Sequence, residues 1–314
     1  MKRRLKDALK RGLFHLFRLG TRLGVYVMPA HYYVSVPNVI ELDRDRAEWA
    51  KKSELPGLDV DLDRQIECLG AICRPYRDEY AGNAVYREAV AQEYGPGYGY
   101  VEAQALHAVI RHFKPKRIIE VGSGVSTHCM LAAVELNRRD GGHEVQMTCV
   151  EPYPSARLRQ TPAIELLVKK VQLVPPDFFG RLDRGDLLFI DSSHTVKPGS
   201  DVNYLILEIL PSLRPGVVVH FHDIYLPYDF QRNTLKTFLH WSETSLLRAY
   251  LINNDRIGIL FCLSHLHYDR QQELKELFPE YDPVPGENGL NPDGMRPFEE
   301  PAQHFPSSIY LHTR

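Results

Sequence analysis

Residues 117–127 read RIIEVGSGVST. The run is β-branched at Ile118, Ile119 and Val121 and stops at a glycine loop, as a short buried strand does. Apolar residues then recur at helical spacing, which predicts a helix from about Ser126 to Asn137. The alternation continues outward. Strands are predicted at MTCVE (147–151), VQLVP (171–175), DLLFID (186–191) and GVVVHFHD (216–223), with a helix at VNYLILEILPSL (202–213). A helix around 235–246, a strand at RIGILFCL (256–263) and a final strand at SSIYLHT (307–313) follow. Strands that alternate with helices and are apolar on both faces imply βαβ units and a parallel sheet covered on both sides. The expected fold class is α/β.

The whole chain suits such a core. It has 314 residues, 44% hydrophobic and 25% charged, with a formal net charge of −2. That balance argues against a disordered or polytopic membrane chain. The lack of a basic excess argues against a nucleic-acid partner. Five cysteines without a CxxC pair point away from zinc clusters and disulfides, and toward a reducing, cytoplasmic setting. No apolar run approaches the ~18 residues of a spanning helix.

Before the core, residues 1–92 read as an N-terminal extension, and 93–314 as the main domain. Segment 1–24, MKRRLKDALKRGLFHLFRLGTRLG, is basic and carries one apolar stripe. It suits an amphipathic helix docked on its own domain or on a second copy in a homodimer. The same stripe could instead make peripheral contact with the inner face of the membrane. Charges interrupt any leader-like apolar run, so a cleaved leader is not expected. Helices are predicted at about 63–73 and 101–113, the second preceded by the Gly/Tyr/Pro loop EYGPGYGY (93–100).

Ligands of open α/β sheets bind at the carboxyl ends of the strands. Five predicted strands have polar or acidic groups there or just beyond: the Glu120–Thr127 loop, Glu151, Asp177, the Asp191–His194 turn, and His222-Asp223. Thr127 stands where a dinucleotide fingerprint has its third glycine, and no phosphate-loop lysine follows. Glu151, at a strand end, can accept two hydrogen bonds from a ribose diol. His220 and His222 alternate along one strand and leave the same face, so one is expected to be a core histidine. Trp241 and Glu243 are read as structural.

The set IIEVGSGVST…CVEP…DLLFIDSSH…LRPGVVVHFHDI resembles class I S-adenosylmethionine-dependent methyltransferases, over about residues 94–263. It is most similar to a bacterial small-molecule or glycan subgroup with an E-x-G-S-G-x-S-T loop and an H-D pair after strand five. The resemblance implies a Rossmann-like, seven-stranded, mostly parallel sheet flanked by helices. Its last strand returns antiparallel as a hairpin with strand six. It implies that Glu120, Gly122, Ser123, Gly124, Ser126 and Thr127 bind S-adenosylmethionine, that Glu151 holds the ribose, and that Asp177 and Phe178 lie near the adenine. Asp191, His194, His222 and Asp223 become the catalytic candidates. The acceptor is expected to be a small-molecule or glycan hydroxyl.

Some relatives of this kind hold a divalent ion after strands four and five. Asp191, His222 and Asp223 occupy the matching places, for magnesium or manganese. A histidine weakens the case for magnesium, which prefers oxygen ligands, and favours a transition metal. Two other readings stay open: a metal-dependent hydrolase built on the same Asp and His residues, and a non-catalytic nucleoside-binding scaffold.

Overall fold

A computed structural model describes residues 2–95, 97–283, 286, 288–294, 296 and 305–314. Pro96 of the Gly/Tyr/Pro loop and most of the Pro/Gly-rich stretch 279–306 beyond residue 283 lie outside the described residues. The chain divides into two compact units, Met1–Arg46 and Ala47–Arg314.

The first unit begins with the helix Lys2–Arg22, on which Leu9, Phe14, Leu16 and Leu19 are all exposed. A short helix, Val39–Arg44, is capped by the Asn38 side chain, which accepts from the backbone amides of Ile40 and Glu41. Among the described residues no helix is long and apolar enough to cross a membrane.

The second unit holds a seven-stranded sheet. Its strands are β1 (Arg117–Val121), β2 (Gln146–Val150), β3 (Glu165–Leu167), β4 (Leu187–Ile190), β5 (Val218–Phe221), β6 (Ile257–Cys262) and β7 (Ile309–Thr313). Their spatial order is β3-β2-β1-β4-β5-β7-β6. β1 to β5 pair in parallel, and β7 inserts between β5 and β6, antiparallel to both. The expected Rossmann-like sheet with an antiparallel last strand is therefore present.

Alternation along the strands sorts the core into two layers. Ile118, Leu187, Phe189 and Val218 face the layer made with the helices Leu62–Cys73, Tyr100–Phe113 and Val125–Arg139. Ile119, Val121, Leu188, Ile190 and Val219 face the opposite layer, with Phe179, Val202, Ile206 and Leu247. Residues 47–92 are part of this second unit, and Leu69, Ile72 and Cys73 sit in the first of these layers. All five cysteines are free.

Two elements differ from the sequence expectation. The third strand is Glu165–Leu167, not 171–175, where a 3-10 turn covers Val171–Leu173. Val171 and Val174 are apolar because they enter the core, while Glu165 pairs with Thr148 across the ladder and accepts its hydroxyl at 3.0 Å. The late helix is Glu243–Leu251, not 235–246. Thr237 Oγ1 accepts from the Leu239 amide and Gln231 Oε1 from the Trp241 amide, and such side-chain bonds compete with helix formation.

Candidate functional site

The backbone ladder runs one residue past the strands. The Gly122 amide donates to Val150 O, the Asp191 amide to Val121 O, and the His222 amide to Ile190 O. The loops after β1, β4 and β5 are thereby held side by side. Gly122 has φ 78°, and a Cβ there would stand 1.7 Å from the Asp191 carbonyl oxygen. Only glycine lets these two loops approach so closely.

A cavity of about 690 Å³ opens above these ends. Its walls include Gly122, Ser123, Gly124 and Ser126 from the first loop, Glu151 after β2, and Asp191, His194, His222 and Asp223. The volume is in the range of small-molecule and cofactor sites. Glu151 is oriented by two backbone amides, Tyr153 at 2.7 Å and Ser123 at 3.3 Å.

Four of the expected cofactor residues do not line this cavity. Glu120 is fully buried beneath the loop, where its carboxylate accepts from Ser126 Oγ at 2.7 Å and Thr127 Oγ1 at 2.6 Å. Thr127 Oγ1 also accepts from the Gly124 amide at 3.1 Å. Both residues brace the glycine loop from behind. Burial pushes the Glu120 carboxyl up to about 7, against the lowering effect of these hydroxyls. Asp177 and Phe178 lie on the short helix Pro176–Phe179, and Phe178 lines a different cavity with Ile118 and Met147. The residues after β3 that do reach the main cavity are Lys170, Val171 and Gln172, because the chain turns there instead of extending.

Asp191, His194, His222 and Asp223 converge. One donor atom from each lies within 4.8 Å of the others. His194 Nε2 is 3.3 Å from Asp191 and 3.4 Å from Asp223, while His222 Nδ1 is 3.2 Å from Asp191 and 3.5 Å from Asp223. The remaining nitrogen of each ring faces a buried glutamate. Glu243 Oε2 is 2.8 Å from His194 Nδ1, and Glu102 Oε2 is 3.4 Å from His222 Nε2. Burial alone would lower both histidines, but the surrounding carboxylates win: His194 rises to about 10 and His222 well above its usual value. Burial would raise Asp191, and the two histidines instead hold it far below the ordinary carboxylate range.

His220 has the other fate. It is fully buried, stacked on Phe189 with centroids 4.2 Å apart, and within hydrogen-bond reach of Tyr98 Oη and Ser308 Oγ. Burial lowers it well below its usual value. It is the core histidine and His222 the cavity one.

A second cavity, of about 540 Å³, adjoins the first at His222 and Asp223. Tyr98, Tyr225, Trp241 and Phe305 line it, and Gly97, His222, Asp223 and Trp241 belong to both cavities. Sequence reasoning missed Glu102, Glu243 and Trp241 as site residues. Glu102 and Glu243 lie 120 and 49 residues from the histidines they face, and neither sits at a strand end.

The four-residue cluster fits a metal ion by donor chemistry. Ligands about 2.1 Å from a common centre stand roughly 3.0–3.4 Å apart at octahedral or tetrahedral angles, close to the four separations above. Outer nitrogens held by carboxylates are the usual support of ligating histidines.

Residues 119–224 match the family model described as a methyltransferase domain. A protein of Archaeoglobus fulgidus, named only as uncharacterized, is 29% identical over 181 residues, which cover 54% of this chain and 80% of that protein. The O-methyltransferase TomG of Streptomyces achromogenes, solved with its S-adenosylmethionine, is 15% identical, with 71% of this chain and 87% of that chain covered and a TM-score of 0.37. A Podospora anserina methyltransferase solved with S-adenosylhomocysteine is also 15% identical, with 73% and 93% covered and a TM-score of 0.36. The matched stretch runs from β1 to just past β5, the part of the β3-β2-β1-β4-β5-β7-β6 sheet whose strand ends border the main cavity.

Proposed function

We propose that this chain transfers a methyl group from S-adenosylmethionine to a hydroxyl of a small molecule or glycan. The observation that carries the reading is the shared wall: His222, Asp223 and Trp241 border both the glycine-loop cavity and the aromatic cavity beside it. A cofactor in the first and an acceptor in the second would meet at the Asp/His cluster.

Gly122–Ser126 leave room for the cofactor's amino-acid end, and Glu151, already oriented by two amides, accepts its ribose hydroxyls. The bound cofactor supplies an activated methyl on a sulfonium, so the protein's main contribution is orientation, on the order of 7–11 kcal/mol. Tyr98, Tyr225, Trp241 and Phe305 offer flat, partly polar walls to a ring or sugar. The acceptor hydroxyl enters beside the cluster, where the cationic His194 and His222 stabilise its oxygen and a cluster carboxylate, Asp191 or Asp223, receives its proton. Asp191, His222 and Asp223 would hold a divalent ion, magnesium or manganese in the simplest case. Held there, the ion would lower the pKa of a hydroxyl acceptor.

The helix Lys2–Arg22 belongs to the same proposal as a peripheral anchor. At about 100° per residue, Leu9, Leu16 and Leu19 share one exposed face while Arg11, Arg18 and Arg22 share the opposite one. This pattern suits an anionic membrane surface.

Calorimetric titration with S-adenosylhomocysteine, followed by labelled methyl transfer to a panel of phenols and sugars, tests the activity. The expected result is one nucleoside site per chain and an O-methylated product. A folded protein that binds no S-adenosylhomocysteine, with or without metal, would remove the methyltransferase reading.

A further inference from the structure

We propose that the acceptor carries a carboxylate, and that Arg232 binds this carboxylate while the acceptor hydroxyl lies at the Asp/His cluster. This deepens the reading above. It rests on that reading for the fate of the hydroxyl, not for the binding of the acid.

The argument begins with charge. Among the described residues Arg232 is the one arginine or lysine in the wall of the aromatic cavity, and it does not line the glycine-loop cavity. It is only 6% exposed, and its guanidinium carbon stands over the Phe305 ring, 4.5 Å from the centroid. Burial lowers its pKa, against the opposing effect of the Tyr268, Tyr225 and Tyr281 phenols. A guanidinium nevertheless stays charged at any pH at which a protein works. A permanent cation is thus set in the wall of a cavity lined by rings, where low polarity strengthens its pull on an entering anion. Its planar fork matches the two oxygens of a carboxylate.

The loop that carries it is fixed. Arg232 O accepts from the Asn291 amide at 2.8 Å. The preceding residue, Gln231, is buried; its Oε1 accepts from the Trp241 amide at 2.8 Å and its Nε2 donates to Asn233 Oδ1 at 2.7 Å. Arg232 and Trp241 are therefore tied together in the wall of one cavity.

A run of rings joins the arginine to the cluster. Tyr225 Oη donates to Asp223 Oδ1 at 2.9 Å. The Tyr225 ring stacks on Phe305, with centroids 5.9 Å apart and planes within 7°. Phe305 in turn carries the Arg232 guanidinium on its face. An acceptor lying along these two rings has one end at Asp223 and the other at Arg232. Two rings separate the ends, so hydroxy acids longer than a single ring belong in the test.

The charge balance selects the anion. His222 stands against Glu102 and Asp223, at 3.4 and 3.5 Å, in the same cavity. Arg232 adds one positive charge, which one carboxylate neutralises. A phosphate dianion would leave surplus negative charge beside Glu102 and Asp223, and a desolvated charge without compensation is costly. In the transfer itself the S–C bond breaks with its electron pair left on sulfur, and a C–O bond forms to the acceptor hydroxyl, whose proton passes to a cluster carboxylate. The carboxylate held at Arg232 stays unmethylated, so the product is a methyl ether and not a methyl ester.

The test uses the full chain and matched pairs: hydroxybenzoates and hydroxycinnamates beside their amides, and uronic acids beside the neutral sugars and the sugar phosphates. Calorimetry with and without S-adenosylhomocysteine gives affinities, and labelled methyl transfer gives products. The best acid should bind at least about 30-fold tighter than its neutral partner, as charge-assisted hydrogen bonds to arginine imply, and should yield its ether. Arg232→Gln should bring that ratio to within about threefold by raising the Kd and KM of the acid, with S-adenosylhomocysteine affinity changed less than about threefold. Arg232→Lys should recover part of the ratio. A merely structural arginine would weaken acid and neutral partner alike. Thermal midpoints confirm folding, and the wild-type ratio and product decide the matter if a variant fails to fold. No acid bound, acid and amide bound equally, sugar phosphates preferred to uronic acids, an ester product, or an unchanged ratio in folded Arg232→Gln would overturn the inference. S-adenosylhomocysteine separates the two ideas. A chain that binds it but shows no acid preference loses the carboxylate anchor and keeps the methyltransferase reading. A chain that selects acids through Arg232 without binding it keeps the anchor and loses that reading.

Discussion

The carboxylate of Glu120 accepts a 2.6 Å hydrogen bond from Thr127, the residue at the third turn position of the helix that follows the glycine loop. With the Ser126 bond, it ties the end of β1 to the start of Val125–Arg139. The cost is a buried acid raised from 4.5 to about 7. A carboxyl raised on folding keeps its proton longer in the native state, so the native protein binds more protons between those values. Stability therefore falls as pH rises from about 4.5 to about 7. Glu120→Gln should abolish this component, worth up to roughly 3 kcal/mol across the window. Urea midpoints at pH 5 and 7.5 check it, and parallel pH profiles for both proteins would refute it.

Gly122→Ala should be severe. The new Cβ meets backbone, 1.7 Å from Asp191 O, at φ 78°. Either the β1 and β4 loops separate or the protein loses several kcal/mol. Gly141→Ala has a similar φ, 81°, but nothing within 4 Å, so only the left-handed strain remains, about 1–2 kcal/mol. Thermal melts of both, with S-adenosylhomocysteine affinity alongside, should show the first losing stability and binding and the second only a little stability. Similar behaviour of the two would mean that the close approach is not needed.

Glu151→Ala should weaken S-adenosylhomocysteine binding by about 100-fold, since two hydrogen bonds to a charged group, each roughly 1.5–3 kcal/mol, are removed. Glu151→Gln should cost less. Calorimetry measures both. Unchanged affinity in a folded Glu151→Ala protein would end the ribose assignment.

Asp191→Asn separates binding from chemistry. Asp191 lies between His194 and His222, so its charge is felt at the cluster more than along the cofactor. Turnover should fall by about 1000-fold or more, with S-adenosylhomocysteine affinity changed less than about threefold. Equal turnover in wild type and variant would take Asp191 out of the mechanism.

How far these sites could be read without coordinates follows from locality. Gly122, Glu151, Asp191, His222 and Asp223 stand immediately after apolar runs, and strand ends in such a sheet share one edge, so their convergence was legible. His194 was legible through its nearness to Asp191. Glu102 and Glu243 were not, because a buried glutamate within a helix carries no pattern that names its partner. Asp177 and Phe178 fall outside the main cavity because the apolar run VQLVP forms a turn and not the strand that its composition suggests. Its valines are buried in a turn, which moved the true β3 six residues earlier. Apolar periodicity reports burial, and it reports backbone form only in longer segments.

The helix Lys2–Arg22 gives a last test of what its sequence pattern means. Leu9, Leu16 and Leu19 are each more than half exposed and share one face of the helix, an apolar stripe of the kind that marks an interaction surface. Arg11, Arg18 and Arg22 add cations, each worth about 1 kcal/mol near an anionic surface. The full chain should therefore sediment with vesicles containing phosphatidylserine and not with neutral ones, and the binding should fall as salt rises. A chain lacking residues 1–24 should stay in the supernatant while keeping S-adenosylhomocysteine affinity. Replacing Leu9 and Leu16 with serine should weaken vesicle binding without altering charge, which separates insertion from simple electrostatic attraction. Wild type that never binds the anionic vesicles would leave the exposed face to a second copy of the chain, and the sedimentation coefficient in the absence of lipid would then show a dimer.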